Sequence, residues 1–202
     1  VETTTGPLGQ GGGNSVGMAM AEKWLAARFN KPGFELFNHH VYTLCGDGDM
    51  MEGISSEAAS TAGHLKLGNL VWMYDANRIS IEGSTDIALT EDVAARFAAY
   101  GWQVLELKDA NDTATLKDLL AQAKAETERL TFILVHSVIA WGGPHKAGTA
   151  SAYGEPLGAE EIRETKKAYG WPEDRSFYVT DGVQADMQDG RGARGAKDSA
   201  AA

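Results

Sequence analysis

What the chain has little of narrows its reading first. Among its 202 residues there is one cysteine, Cys45, so no internal disulfide can form, and the expectation is a protein of a reducing, cytoplasmic compartment. Long apolar runs are missing too: the longest, Leu70 to Tyr74, is far too short to cross a bilayer, which excludes a membrane-spanning protein. Positive charge is scarce, with 18 Lys and Arg against 28 Asp and Glu and a net charge of −10. That balance excludes a general nucleic-acid binder, which needs a basic face to displace counterions from phosphates. A phosphorylated small molecule stays compatible, since helix N-termini and a bound cation hold phosphate without net positive charge. Neither an initiating Met nor a signal or targeting tract is present. The chain runs from Val1 to a terminal Ser-Ala-Ala-Ala, which reads as a segment of a longer polypeptide. What is there is ordinary globular composition, 43% hydrophobic and 23% charged, with length for one domain and a sizeable core.

Hydrophobic spacing organises the chain. The first 21 residues carry a single charge, Glu2, and six glycines; the pattern then turns helical through Val16, Met20, Trp24 and Ala27. A loop therefore feeds a buried helix over 14–29, which Lys31-Pro32-Gly33 stops. A β-type run from Val41 to Cys45 follows, then Gly46-Asp47-Gly48-Asp49 and a helix over 51–62. The alternation repeats with a strand over 70–74, a polar loop over 75–78 and a helix over 92–100. It repeats again with a strand over 103–107, a helix over 113–127 capped by Asp112, and a strand over 131–135. Four apolar segments separated by helices predict an α/β fold: a doubly wound, mostly parallel sheet with helices on both faces. Right-handed crossovers put every strand's C-terminal end on one edge, where ligands bind in such folds. Past Ser137 the pattern fades into a glycine-rich loop over 140–148 and a last helix over 159–169. From Asp181 the chain is Gly- and Asp-rich with little apolar content. The expected division is a domain over 1–183 that lacks its N-terminal start, then a linker or the start of a following segment over 184–202.

The strongest local signal is Gly46-Asp47-Gly48 directly after a buried strand, with Asn77 directly after the next. Both side chains then arrive on the same sheet edge. A carboxylate, an amide oxygen and a nearby backbone carbonyl form a hard oxygen set suited to Mg²⁺ or Ca²⁺, leaving octahedral positions for phosphate oxygens and water. Gly48 lets the backbone come close to a diphosphate, and the amides of the following helix point at the same anion. Taken alone, the tripeptide is equally a turn with an N-cap aspartate. A dinucleotide-binding module is excluded, because Gly9-Gln10-Gly11 precedes a helix but follows no strand.

Four blocks in order give that motif its weight. They are Gly6-Pro7-Leu8-Gly9-Gln10-Gly11, Gly46-Asp47-Gly48-Asp49-Met50-Met51-Glu52-Gly53-Ile54-Ser55, Gly63-His64-Leu65-Lys66-Leu67-Gly68-Asn69-Leu70 and Tyr74-Asp75-Ala76-Asn77-Arg78-Ile79-Ser80-Ile81-Glu82-Gly83. With Ala99-Tyr100-Gly101-Trp102 and Gly154-Glu155-Pro156-Leu157-Gly158, they closely resemble the diphosphate-binding domain of the transketolase family, over essentially the whole chain to about Val183. The resemblance implies the thiamine diphosphate-binding fold, with thiamine diphosphate and Mg²⁺ (or Ca²⁺) as cofactors. Asp47, the side chain of Asn77 and the backbone carbonyl of Ile79 would bind the metal, Asn77 counting with the cofactor-binding residues as well. Gly48 would give its amide to the diphosphate. Gly6, Pro7 and Leu8 would run beside the cofactor's middle, where a backbone carbonyl meets the aminopyrimidine and Leu8 wedges between the two rings. Ile81 would line the aminopyrimidine pocket. Glu52 would sit at a dimer interface in a chain of carboxylates linking two active sites, where like charges share protons. Its plain alternative is an exposed glutamate favoured by a helix N-terminus.

Departures from the family pattern are as informative. Where the family carries a histidine that touches substrate and cofactor, this chain reads Ser151-Ala152-Tyr153-Gly154. A phenol donates and accepts hydrogen bonds but does not exchange protons near neutrality as imidazole does. Tyr153 therefore alters substrate handling, or a neighbour such as His145 substitutes. Asp49 stands where a small neutral residue is common and adds charge beside the metal site, and the Gly11-Gly12-Gly13 run makes a loose start to the helix. His39, His40 and His64 read as structural or surface residues. The resemblance implies transfer of a two-carbon ketol unit between ketose and aldose phosphates, in an active site completed by a pyrimidine-binding domain of the same or a partner chain. A homodimer or split heterotetramer would bring the two together. Two alternatives stay open: a related thiamine enzyme such as dihydroxyacetone synthase or phosphoketolase, and a catalytically silent transketolase-like subunit.

Overall fold

Leu70 to Tyr74 is apolar on both sides because the strand it forms is buried on both faces. The computed structural model describes residues 2–201. In chain order its first elements are α1 (Gln10–Phe29), β1 (Val41–Gly46), α2 (Asp47–Met51), α3 (Gly53–Leu65) and β2 (Leu70–Ala76). A small hairpin of β3 (Ile79–Ser80) and β4 (Gly83–Ser84) follows, then α4 (Val93–Ala99), β5 (Gln103–Leu107), α5 (Thr113–Ala125) and β6 (Thr131–His136). Four strands form one parallel sheet in the order β1-β2-β6-β5. Residues through Trp141, together with His145–Leu157, make one compact unit. Among the described residues no helix is long and apolar enough to cross a membrane.

Strand periodicity divides the core into two layers. Leu70, Trp72, Tyr74 and Phe132 face the layer that contains Ala19 of α1, Ala59 and Ala62 of α3 and Phe97 of α4. Val71, Ile133 and Leu107 face the opposite layer, against Leu119 and Ala123 of α5. The doubly wound, mostly parallel architecture is thus present, with helices on both faces. Asp92 and Asp112 cap α4 and α5, their carboxylates accepting the amides of Ala95 (2.9 Å) and Thr115 (3.0 Å).

Two boundaries differ from the sequence pattern, each for a tertiary reason. Helix α1 begins at Gln10, four residues before the expected start, and takes in the three glycines. A Cβ on Gly12 would lie 2.7 Å from Trp72 Cη2, so the missing side chain is what lets α1 lie against β2. That close packing outweighs a helix-propensity cost of about 1 kcal/mol per glycine. The helix expected over 51–62 is instead two, α2 and α3, broken at Glu52 in extended backbone (φ −80°, ψ 136°). The break persists because its freed carbonyls are satisfied: Ser55 Oγ donates to Asp49 O at 2.6 Å and Arg96 Nη2 to Met50 O at 2.9 Å.

The second unit comprises Gly142–Pro144 and the chain from Gly158 onward. It contains α6 (Ala159–Ala168) and a helical run made of α7 (Val183–Met187), a π-helical segment (Gln188–Gly192) and α8 (Ala193–Ala201). Within it, a Cβ on Gly142 would meet the Tyr169 ring at 2.5 Å, and Trp171 stands edge-on to Tyr178.

Two glycines of α1 should respond oppositely to the same change. Gly12→Ala drives a methyl into Trp72 and is expected to cost about 1–3 kcal/mol. Gly17→Ala, with nothing within 4 Å of its added carbon, is expected to gain about 0.5–1 kcal/mol. Urea unfolding midpoints of the two variants provide the check; equal effects would place α1 elsewhere.

Candidate functional site

Strands β1 and β2 run in register, so their carboxyl ends come out together, Gly46 opposite Asp75. Asp47 is the first residue past β1 and opens α2. It is only 5% exposed. Its Oδ1 accepts the Tyr74 hydroxyl at 2.7 Å and its Oδ2 accepts the Arg78 amide at 3.1 Å. Burial pushes the Asp47 carboxyl up, while the bonds from Tyr74 and from the Arg78 and Asn77 amides pull it down and Asp75 adds repulsion. Burial and the same carboxylate push the Tyr74 phenol up. Neighbouring Cys45 is buried, and desolvation, then the charges of Asp49 and Asp75, push its thiol up, which makes it a poor nucleophile.

The turn after β2 closes over Asp47. Arg78 takes a left-handed backbone (φ 61°), held because its amide donates to Asp47 and its carbonyl accepts the Thr85 amide at 3.0 Å. Asn77 Oδ1 accepts the Ile79 amide at 2.9 Å, and its Nδ2 lies 3.4 Å from Asp75 Oδ2. Asp75 is bonded in turn by Ser137 Oγ, just past β6. Asp47 also lines a cavity of ≈ 310 Å³, with Tyr74, Arg78, Asp86 and His136 among its other walls.

Gly48, Leu8 and Tyr153 form a separate group, and none of them lines that cavity. A Cβ on Gly48 would come within 3.2 Å of Leu8 Cδ1 and 3.9 Å of the Tyr153 hydroxyl. Three residues far apart in sequence thus meet over a backbone left bare by glycine. Leu8 is 48% exposed and Ile81, at the hairpin tip, 69%. Gly6 and Pro7 are exposed, Pro7 accepting the Gln10 amide at 3.4 Å. Glu52 is exposed at the break between α2 and α3, and His145 lies on the surface.

Asp49, two residues beyond Asp47, is held by the backbone. Both its carboxylate oxygens are taken by amides, those of Gly46 and Gly9. Sequence reasoning also passed over Tyr74, whose place in an apolar strand marked it as core; its signal was strand parity with the buried face of β2. Among the described residues no group of three or more His, Cys, Asp or Glu is placed to hold a metal. A metal held here would therefore rest on at most two such side chains, with amide and carbonyl oxygens beside them.

The Tyr74 hydroxyl is the side-chain donor to a buried carboxylate, so its loss is expensive. Tyr74→Phe is expected to lower stability by about 1.5–3 kcal/mol, the range for a hydrogen bond to a charged group. Urea denaturation beside Tyr42→Phe, on an exposed tyrosine of β1, gives the comparison; equal small effects would dismiss the bond.

Comparison with known proteins identifies the family. Residues 1–201 match a family model described as the transketolase thiamine diphosphate binding domain. The chain is 52% identical over 185 residues to transketolase of Geobacillus stearothermophilus, covering 92% of this chain and 28% of that protein. It is 54% identical over 197 residues to transketolase of Streptococcus pyogenes, covering 98% and 27%. Among solved structures, transketolase from Leishmania mexicana superposes with a TM-score of 0.94 at 42% identity, over 99% of this chain and 30% of that one. A Pichia stipitis transketolase described as a complex with sedoheptulose 7-phosphate gives 0.89 at 43% identity, over 92% and 28%. The chain therefore spans somewhat over a quarter of the length of these relatives, and it belongs to the transketolase family, within the thiamine diphosphate binding domain.

Proposed function

We propose that this chain is the metal- and diphosphate-binding part of a transketolase, which moves a two-carbon ketol unit from a ketose phosphate to an aldose phosphate. The observation that carries it is the buried carboxylate of Asp47 at the strand edge, beside the bare backbone at Gly48. The residues present fit the groups the family uses. Asp47, Asn77 Oδ1 and the Ile79 carbonyl supply hard oxygens for Mg²⁺, and a divalent cation offsets the cost of burying Asp47. The absent Cβ of Gly48 leaves room for a diphosphate against the main chain, next to Leu8. When bound, thiamine diphosphate supplies the nucleophilic carbon for ketol transfer.

The chain's own residues bind and orient. Asp47, Asn77 and Ile79 hold the cation that neutralises the diphosphate. Gly6, Pro7 and Leu8 flank the cofactor's middle, Leu8 acting as an apolar wedge, and Ile81 contacts the aminopyrimidine. Glu52, exposed on this chain, faces a second copy across a homodimer or split heterotetramer, and a pyrimidine-binding domain completes the site. Sugar phosphates are the substrates, in keeping with the sedoheptulose 7-phosphate and xylulose 5-phosphate described in the Pichia stipitis complexes. The surroundings are cytoplasmic, and residues 1–183 act as the cofactor domain with 184–202 leading onward.

One observation favours a second reading within the family. The Tyr153 hydroxyl stands beside Gly48 and Leu8, where a phenol offers a substrate oxygen a hydrogen bond in place of an imidazole. Substrate handling is then retuned, as in a relative such as dihydroxyacetone synthase or phosphoketolase, or turnover is lost.

Calorimetry on the full-length protein that carries this chain tests the site. Thiamine diphosphate is expected to bind only with Mg²⁺, and Asp47→Ala or Asn77→Ala to weaken it more than tenfold, about 1.4 kcal/mol or greater. Binding without a divalent cation would sink the assignment. Transfer from xylulose 5-phosphate to ribose 5-phosphate tests turnover: Tyr153→His should raise the rate if tyrosine impairs the site, and lower it if the site is retuned.

A further inference from the structure

Asp49 sits two residues beyond Asp47 and does a different job. Its Oδ2 accepts the Gly46 amide at 2.8 Å, a local bond inside the turn that opens α2. Its Oδ1 accepts the Gly9 amide at 2.7 Å, from a residue forty positions away. Gly9 is the buried N-cap of α1 and directly follows Gly6-Pro7-Leu8. The backbone of Asp49 is itself fixed, its carbonyl accepting Ser55 Oγ at 2.6 Å. The contact is close on every side. Gly9 is left-handed (φ +75°), and a side chain there would meet Ser55 Oγ at 2.7 Å, Ile54 at 2.8 Å and Glu52 at 2.9 Å. The loop before α1 is thus seated on the α2–α3 junction through two backbone amides that share one carboxylate.

We propose that Asp49 is a positioning residue for the cofactor. Its carboxylate locks the Gly6–Gly9 loop to the Gly46–Gly48 turn, so that the strip meeting the cofactor's middle and the strip meeting its diphosphate move as one body. The proposal rests on the thiamine diphosphate reading above. Its physical content is preorganisation: a loop already held in its bound place loses less conformational freedom when the ligand arrives. Leu8 is the side chain that benefits, since it lies over Gly48 at the end of this clamp. Aspartate suits the task because both amides need acceptors and a carboxylate offers two oxygens with no competing donor.

Asp49→Asn in the full-length protein isolates the clamp. The amide keeps one acceptor oxygen for Gly46 in its own turn and points an NH₂ at the Gly9 amide, donor against donor. With Mg²⁺ present, calorimetry is expected to give a Kd for thiamine diphosphate about tenfold higher, the size of one lost charge-assisted hydrogen bond. The Kd for inorganic pyrophosphate, which reaches the turn but not the loop, should stay within about twofold. Amide hydrogen exchange in a peptide covering residues 6–9 should accelerate in the variant without any ligand. Asp49→Ser, whose single oxygen is too short to reach both amides, repeats the test if the asparagine variant misfolds. Equal weakening of both ligands, or an unchanged thiamine diphosphate Kd with a lowered Tm, would overturn the proposal. Should the wild type bind no thiamine diphosphate, the cofactor reading fails, and unchanged exchange at 6–9 would show separately that the clamp itself is absent.

Discussion

Trp72 sets the distance between sheet and helices on the side that carries the site. Its indole fills the gap left by Gly12, and its Nε1 donates to Ser15 Oγ at 3.0 Å, which in turn donates to the Gly12 carbonyl at 2.7 Å. Trp102 stands against it at 5.3 Å and Phe97 at 5.7 Å, and Phe97 stacks on Phe132 at 3.8 Å. One side chain of β2 is therefore fixed by α1 above it and by two aromatics, Phe97 of α4 and Trp102 just before β5. Because interiors are close-packed, α1 cannot slide along β2 without opening a void or a clash. The Gly6–Gly9 loop enters α1 three residues before Gly12, so its position is decided by this packing as much as by its own sequence.

That placement lets two aspartates in one short helix do opposite work. Asp47 points into the strand edge, where Tyr74 and two amides of the following turn meet it. These donors lower the cost of burying a charge but do not neutralise it, and they leave an acceptor-only group with lone pairs to offer. Asp49 instead accepts the amides of Gly46 and Gly9, and so links two segments forty residues apart. A net charge of −10 thus conceals two different placements, in which one carboxylate is bonded by a phenol and a turn at the strand edge and its near neighbour ties two loops together.

Much of this was legible in the sequence, and the division between legible and illegible follows the range of the interactions. Strand β2 was readable because burial on both faces forces a continuous apolar run, and the Asp112 cap because it bonds three residues ahead. Asp47 and Gly48 stood out because their position, directly after a β-type run, is itself local, although β1 alternates buried and exposed residues, with Leu44 on its open face. The break at Glu52 was not readable, since Ser55 and Arg96 stabilise it and Arg96 comes from α4. Gly12 looked like a weakness in a helix until Trp72 appeared beneath it. Asp49 looked like added charge, because its second amide lies forty residues away.

The two rims of the candidate site are not built alike. On one rim, Gly48, Leu8 and Gly9 are tied through Asp49 to both α1 and α2, which rest on the sheet. On the other, Ile81 stands at the tip of a hairpin whose strands are two residues each, and it is 69% exposed. Such short pairing has little stability of its own. Under the cofactor reading proposed above, the rigid rim would carry the charged and backbone recognition, where geometry must be met closely, and the pliant rim an apolar contact, which is tolerant of direction. Tyr153 belongs to the rigid side, its hydroxyl beside Gly48, so a change of chemistry there alters the fixed half of the site rather than its adaptable half.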